Sequence, residues 1–447
     1  MFFPLEIYKK RQNEIFNKMK NNSVVILPPN KASIWSSDTS NPYRMNSNIL
    51  YVTGLTEEET TVVLKKNEKK ELIIFVRPHD EEKEVWYGRR LGPEKTKEKF
   101  DADCVFENSE KEERLTSILK KSNHVYYMFG VNSDFDEEFI RYFINSRNRL
   151  ARDGTGPRTI EDLEFIHSLR LIKSDEEVEK IRTACNISSK AFLAAMKEIC
   201  PEAFEYQIQS ILESVFLKEG GGRPAFQTIV AGGINASVLH YIDNNQPLKD
   251  GELVLIDAGS EFDHYCGDIS RTIPVNGKFS PMQRKIYEIV LEANKQAIAI
   301  AKPGILFTDI HNKAVEVITN GLIKIGLLEG ETTTLIKEEE YKKFFMHKTS
   351  HWLGLDAHDV GFYVDPNKYV EIDGNRIHPS IKLQPGMVLT VEPGLYFQPS
   401  MDYLPADIQG LGIRIEDDIL ITSSGCEILT KNVPKEIEEI EKIMREN

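Results

Sequence analysis

Gly251-Glu252-Leu253-Val254-Leu255-Ile256-Asp257-Ala258-Gly259 is answered further along the chain by Gly386-Met387-Val388-Leu389-Thr390-Val391-Glu392-Pro393-Gly394. Both stretches run glycine, apolar residues, a carboxylate, glycine. The continuous apolar run from Leu253 to Ile256 predicts a strand covered on both faces, and an acid ending such a strand needs a partner. A second acid follows each copy in another β-like run. These are Asp268 in Gly267-Asp268-Ile269-Ser270-Arg271-Thr272 and Glu416 in Ile413-Arg414-Ile415-Glu416-Asp417. One such stretch is an ordinary strand ending in a turn. Two of them, each with a trailing acid, predict halves that pack about an approximate two-fold axis. Asp257, Asp268, Glu392 and Glu416 would then meet. Four carboxylates in one partly buried place are untenable unless cations neutralise them, and two divalent ions would suffice. Taken alone, Asp268 has a second reading, an ion pair with Arg271.

The surrounding pattern supports a duplication. Ser174-Asp175-Glu176-Glu177 is a capping box that opens a long amphipathic helix to about Ile199. A second helix is expected from Pro201 to about Glu219, then β-like segments through Thr272. Ser280-Pro281-Met282-Gln283 is another capping box, followed by helices to about Leu328 and β-rich sequence over 383–430. A charged helix is expected from Pro434 to Asn447. Helices then strands, twice, predict an α+β domain built from two related halves. Upstream, 22–150 reads as mixed α/β, with strands at 22–28, 72–76 and 124–128 and a helix over 110–122. The turn-rich Arg152-Asp153-Gly154-Thr155-Gly156-Pro157-Arg158 separates the two, so the expected domains are 1–156 and 157–447.

The chain has 447 residues, enough for two or three domains. Asp and Glu outnumber Lys and Arg, 70 to 56, which argues against a phosphate-tracking surface and so against nucleic acid. The five cysteines are scattered, with no Cys-x-x-Cys, as suits a reducing cytosol. No apolar run approaches a membrane span, and Met1 to Lys20 lacks a signal-peptide core. A cytoplasmic protein without membrane or nucleic-acid partners is expected.

Histidines gather in the same domain. His347-Lys348-Thr349-Ser350-His351-Trp352-Leu353-Gly354-Leu355-Asp356-Ala357-His358 holds three of the chain's ten, and His240 stands alone before Tyr241. His-Glu-x-x-His is absent, and Gly354 argues against reading His347 and His351 as one helical face. Strand alternation puts Arg414 beside Glu416. Oxygen-rich ligation with an imidazole favours Mn²⁺, with Co²⁺, Fe²⁺ or Zn²⁺ by availability. Bridging carboxylates would hold two ions about 3.5–4 Å apart and lower the pKa of a shared water to about 7.

These residues resemble the Xaa-Pro aminopeptidases (aminopeptidase P) of the pita-bread metallopeptidases, a family that includes prolidase, creatinase and methionine aminopeptidase. Ser37-Asp38, Pro42-Tyr43-Arg44, Asn46-Ser47 and Tyr51-Val52-Thr53-Gly54 are similar to its amino-terminal domain. The runs around Asp257, Asp268, His351, Glu392 and Glu416 are similar to its catalytic domain. The resemblance implies that these five residues ligate two metal ions, usually Mn²⁺, and that Glu392 also shuttles the proton. It implies substrate-contacting or oxyanion-stabilising roles for His240, His347 and His358, and a supporting role for Arg414. Asp38, Tyr363 and Tyr396 would contact substrate. The expected reaction removes the first residue of peptides with proline in second position, in a dimer or tetramer. Prolidase activity on dipeptides is the near alternative, and a non-catalytic peptide-binding module the distant one. The stretch from Tyr363 to Gln384 reads longer than in compact bacterial relatives, which predicts a rim loop that alters which peptides fit.

Overall fold

A computed structural model describes residues 1–372 and 375–446. The chain divides into two compact units, Met1–His167 and Ser168–Asn447. This division falls after the turn-rich segment at 152–158. The strand Thr159–Glu161 pairs in parallel with His124–Tyr126, which keeps that stretch with the first unit. No described helix is long and apolar enough to cross a membrane.

The first unit is built on a six-stranded mixed sheet, in the order Cys104–Glu107, Lys70–Val76, Thr61–Lys66, Ser23–Leu27, His124–Tyr126, Thr159–Glu161. Ser23–Leu27 is wholly buried, as its unbroken apolar run requires of a central strand. Leu115 and Leu119 of helix Lys111–Lys120, with Phe135, Phe139 and Tyr142 of helix Ser133–Ser146, close a core against Val24, Ile26 and Phe75.

The second unit has the expected helices-then-strands order twice. Ser174 and Ser280 both form complete capping boxes, opening helices Asp175–Glu198 and Pro281–Ile300. The helix expected from Pro201 begins at Glu205 instead, because Glu202 adopts a left-handed backbone (φ 70°) that ends any helical run there. The final helix is Ile437–Arg445. Its expected start is occupied by Pro434 and Lys435, whose carbonyls accept from Arg271 and Tyr287, and its expected last residue, 447, lies outside the described residues.

The two glycine–strand–acid copies become corresponding strands. Leu253–Ala258 lies between Ile229–Gly232 and Ile269–Pro274, antiparallel to both. Val388–Val391 pairs antiparallel with Asp417–Ile421. Ala258 faces Ile269, so Asp268 immediately precedes the return strand; Val391 faces Asp417, so Glu416 does the same. All four acids therefore leave the same ends of two similar hairpins. The halves are stitched across that point. Asp268 N donates to the Asp418 carboxylate at 2.8 Å, and Glu416 N donates to the Ser270 carbonyl at 3.0 Å. Asp418 and Ser270 are each two residues beyond the opposite acid, as an approximate two-fold axis demands.

The segment 363–384 carries a small exposed hairpin, Val370–Ile372 with Asn375–Ile377, on a stem closed by Asp365 N to the Pro379 carbonyl. Residues 373–374 of this expected rim loop lie outside the described residues.

Candidate metal centre

The acids open into a cleft of about 680 Å³ lined by Asp257, Asp268, His351, Glu392 and Glu416, with His240, His347, His358 and Arg414. Asp268, His351 and Glu416 each offer a ligand atom within 4.8 Å of the others. His351 arrives on a segment that runs beside strand Val388–Val391. Its N–H donates to Thr390 Oγ1, its carbonyl accepts from Thr390 N, and Glu392 N donates to the Thr349 carbonyl. That extended pairing, with Trp352 bridged to Leu389, is why His347 and His351 do not form one helical face.

Hydrogen bonding sets the imidazole tautomers. His351 Nδ1 lies 3.1 Å from the Trp352 carbonyl, which can only accept, so Nδ1 carries the proton and Nε2 presents a lone pair. That Nε2 stands 3.5 Å from Asp268 Oδ2 and 3.8 Å from Glu392 Oε1. Burial, with His358 nearby, pushes His351 down to about 4, so it stays neutral at pH 7. A bare imidazole nitrogen facing two carboxylate oxygens is repulsive unless a proton or a metal cation sits among them. Asp257 Oδ1 is likewise buried without a hydrogen-bond partner. The donor set therefore fits divalent ions.

The charges agree. Burial and then its acidic neighbours, Glu416 foremost, push Asp268 well above the carboxylate range. Burial and Glu392 do the same to Glu416, and Glu392 rises to about 8, chiefly by burial. Arg414 is the buried cation among them. It donates to Asp257 Oδ2 at 2.6 Å, to Ser270 Oγ at 2.9 Å and to Tyr396 Oη at 2.9 Å. Ser270 Oγ in turn donates a hydrogen bond to Glu416 Oε2 at 2.7 Å. Arg414 and Glu416 thus share a face, as alternation predicts. Arg271 does not pair with Asp268: it points the other way, to Asp417 at 2.8 Å and to the carbonyls of Ser270 and Glu416.

The remaining expected site residues are placed unevenly. His358 lies 4.3 Å, ring to ring, from His351. His347 donates through Nδ1 to the Lys348 carbonyl, so its Nε2 accepts from Tyr396 Oη at 2.9 Å. Tyr396 is fully buried behind the cleft and does not line it. Tyr363 does not line it either: its ring stacks on Trp352, and its hydroxyl accepts from Trp352 N. Asp38 stands exposed in the turn of the hairpin Ile34–Ser36/Thr39–Ser40 of the first unit. Sequence reasoning missed Ser270, Asp418 and the apolar wall of Phe226, Leu239 and Ile242. Ser270 was reachable, since alternation puts it on the Asp268 face. The wall carried no signal, because its residues are apolar positions in a loop.

Residues 179–423 match the model of metallopeptidase family M24, and residues 8–127 match the aminopeptidase P N-terminal domain. The Xaa-Pro aminopeptidase of Escherichia coli (strain K12) is 39% identical over 98% of this chain and 97% of its own. The solved structure of Pseudomonas aeruginosa aminopeptidase PepP superposes with a TM-score of 0.92 at 40% identity, covering 99% of this chain and 98% of that one. A Zn-substituted E. coli aminopeptidase P in complex with product gives 0.92 at 38% identity over 99% of both chains. With both family models matched in this order and relatives of this similarity aligned along nearly the whole chain, the chain belongs to metallopeptidase family M24, among its Xaa-Pro aminopeptidases.

Proposed function

We propose that this chain removes the amino-terminal residue from peptides whose second residue is proline. The observation that carries the reading is the convergence of Asp257, Asp268, His351, Glu392 and Glu416 on one cleft that also holds three further histidines. These five would hold two divalent ions, Mn²⁺ by the oxygen-rich donor set. When bound, the ions supply Lewis-acid polarisation of the scissile carbonyl and activation of water.

The chain's own residues do the rest. Glu392 takes the proton of the attacking water and delivers it to the prolyl nitrogen as the peptide bond breaks. His358 and His240 turn N–H groups towards the oxygen that gains charge. His347, with its Nε2 held by Tyr396, lines the substrate side of the cleft. Arg414 fixes Asp257 and, through Ser270, Glu416. Tyr396 acts through His347 and Arg414, and Tyr363 through Trp352. Asp38 is left as an exposed carboxylate for substrate contact. The five cysteines are free, as suits the cytosol, and the working form is a dimer or tetramer.

A panel of peptides with and without proline in second position, run with Mn²⁺, Co²⁺, Zn²⁺ or a chelator, tests this reading. Release of the first residue from an Arg-Pro-Pro peptide, abolished by chelation, is the expected result. Activity confined to Xaa-Pro dipeptides would make the enzyme a prolidase. Fewer than about one transition ion per chain after Mn²⁺ loading would overturn the catalytic reading altogether.

A further inference from the structure

The loop 233–246 forms one wall of the cleft through Leu239, His240 and Ile242. Its regular structure is a single short 3₁₀ turn, Gly233–Ser237. A connection of this kind on the surface is ordinarily mobile. Here it is gathered onto one side chain. Glu205, the first residue of helix Glu205–Lys218, is completely buried and accepts four hydrogen bonds. Its Oε1 takes Gly232 N at 2.8 Å and Asn235 Nδ2 at 2.9 Å. Its Oε2 takes Tyr241 Oη at 2.8 Å and Gln246 N at 2.9 Å. The four donors come from before the wall, within it and after it.

Two oxygens with about four lone-pair sites are thereby saturated. No lysine or arginine pairs with Glu205 among the described residues, so these four donors are what satisfies its buried oxygens. The local sequence is shaped to the same end. A Cβ on Gly232 would come within 2.6 Å of a Leu248 methyl and 3.4 Å of Glu205 Oε1, so any side chain there would have to displace Leu248. Asn244 holds a left-handed backbone (φ 45°). Its side chain ties Val230 N, the Thr228 carbonyl and Gln209 to the far end of the loop. Tyr241, adjacent to His240, packs with Ile229, Leu255 and Tyr396, so the anchor joins the loop to the strand that carries Asp257.

We propose that Glu205 is a positioning residue for the peptidase reaction, holding the loop that presents His240 to the bound peptide. The inference rests on the proposed function, which places His240 against substrate. The test is a double-mutant cycle on the full-length Mn²⁺-loaded enzyme, with Glu205→Gln and His240→Ala alone and together. Glutamine is isosteric, but its amide must turn an NH₂ towards either Gly232 N–H or Gln246 N–H, so one end of the loop is released. The expected loss is about 10- to 100-fold in kcat/KM, with Mn²⁺ content unchanged. It should fall in the same parameter, kcat or KM, that His240→Ala lowers. In the His240→Ala background the Glu205→Gln loss should largely disappear. Tyr241→Phe, which keeps the ring and removes one donor, repeats the test in a milder form should Glu205→Gln fold poorly. An undiminished Glu205→Gln loss in the His240→Ala background overturns the positioning role and leaves the peptidase reading intact. A silent His240→Ala overturns both the use of His240 and this proposal.

Discussion

Asp257 and Glu392 stand at equivalent places in the two halves of the catalytic unit, each two residues before a glycine and at the end of a buried strand. Their surroundings are not equivalent. Asp257 has one oxygen clamped by Arg414 at 2.6 Å and the other buried without a partner. Glu392 has no lysine or arginine in an ion pair among the described residues; His347 and His351 approach it at 3.8 Å. It is one methylene longer, and Pro393 follows it, so no backbone N–H closes on it from that side. The same backbone device thus delivers a carboxylate held by an arginine in one half and one with room to exchange a proton in the other. A duplicated fold supplies symmetric positions. The identity of the acid and the placing of one arginine make them unequal.

The sharpest way to break this contrast is to neutralise the free acid. Glu392→Gln keeps the side chain's shape and removes its ability to carry a proton. We expect kcat on an Arg-Pro-Pro peptide to fall by between about 100-fold and about 10⁴-fold under saturating Mn²⁺. Retention of more than about a tenth of the rate would remove Glu392 from the proton path. The metal-free protein should lose little stability, because burial already raises Glu392 to about 8 and favours its neutral form at pH 7.

Asp257→Asn should behave in the opposite sense. It strands Arg414 in a buried position, and breaking one side of a buried pair costs about 3–5 kcal/mol. Denaturant unfolding of the metal-free variant measures this directly. If Asp257→Asn and Glu392→Gln prove equally harmless to the metal-free fold, the clamp is not a clamp.

Arg414→Lys is a gentler probe. A lysine keeps the charge but has no planar fork, so it cannot hold Asp257, Ser270 and Tyr396 together. We expect Mn²⁺ affinity or kcat/KM to fall about 10- to 100-fold, with the protein still folded. An unaffected Arg414→Lys would mean that charge alone suffices and that the fork does not matter.

The proposed ligand acids were legible because such a site places acids at strand ends, and strand ends are visible as apolar runs that stop. The duplication doubled that signal. What supports the ligands was hidden for the converse reason. Glu205 reaches residues up to Gln246, and Asp418 serves Asp268, so their partners are set by packing between distant segments. Arg271 shows the same limit. Its nearest acid in sequence is Asp268, yet strand pleat turns it to Asp417. The resemblance implied a pocket role for Tyr363, but the Trp352 indole stacks on its ring.

The smallest expected effect lies behind the free acid. His311, on helix Phe307–Lys324, lies 2.8 Å through Nδ1 from Thr349 Oγ1, and the Thr349 carbonyl holds Glu392 N. Burial, helped by Lys348 and Lys342, lowers His311 to about 4. An unfolded histidine titrates near 6.5, so the unfolded chain takes up a proton before the folded one. The stability that His311 contributes is therefore complete above about pH 6.5 and is lost as pH falls from there towards about 4, by about 1 kcal/mol at pH 5.5. His311→Gln, which can still bond to Thr349, should make the stability profile of the metal-free protein less steep across that interval, the rest of the slope coming from His347 and His351, which burial also lowers. The clamp between Arg414 and Asp257 involves no histidine and should give no slope there. Equal slopes in the His311→Gln variant and the parent would place the acid sensitivity elsewhere and leave Arg414 as the difference between the two halves.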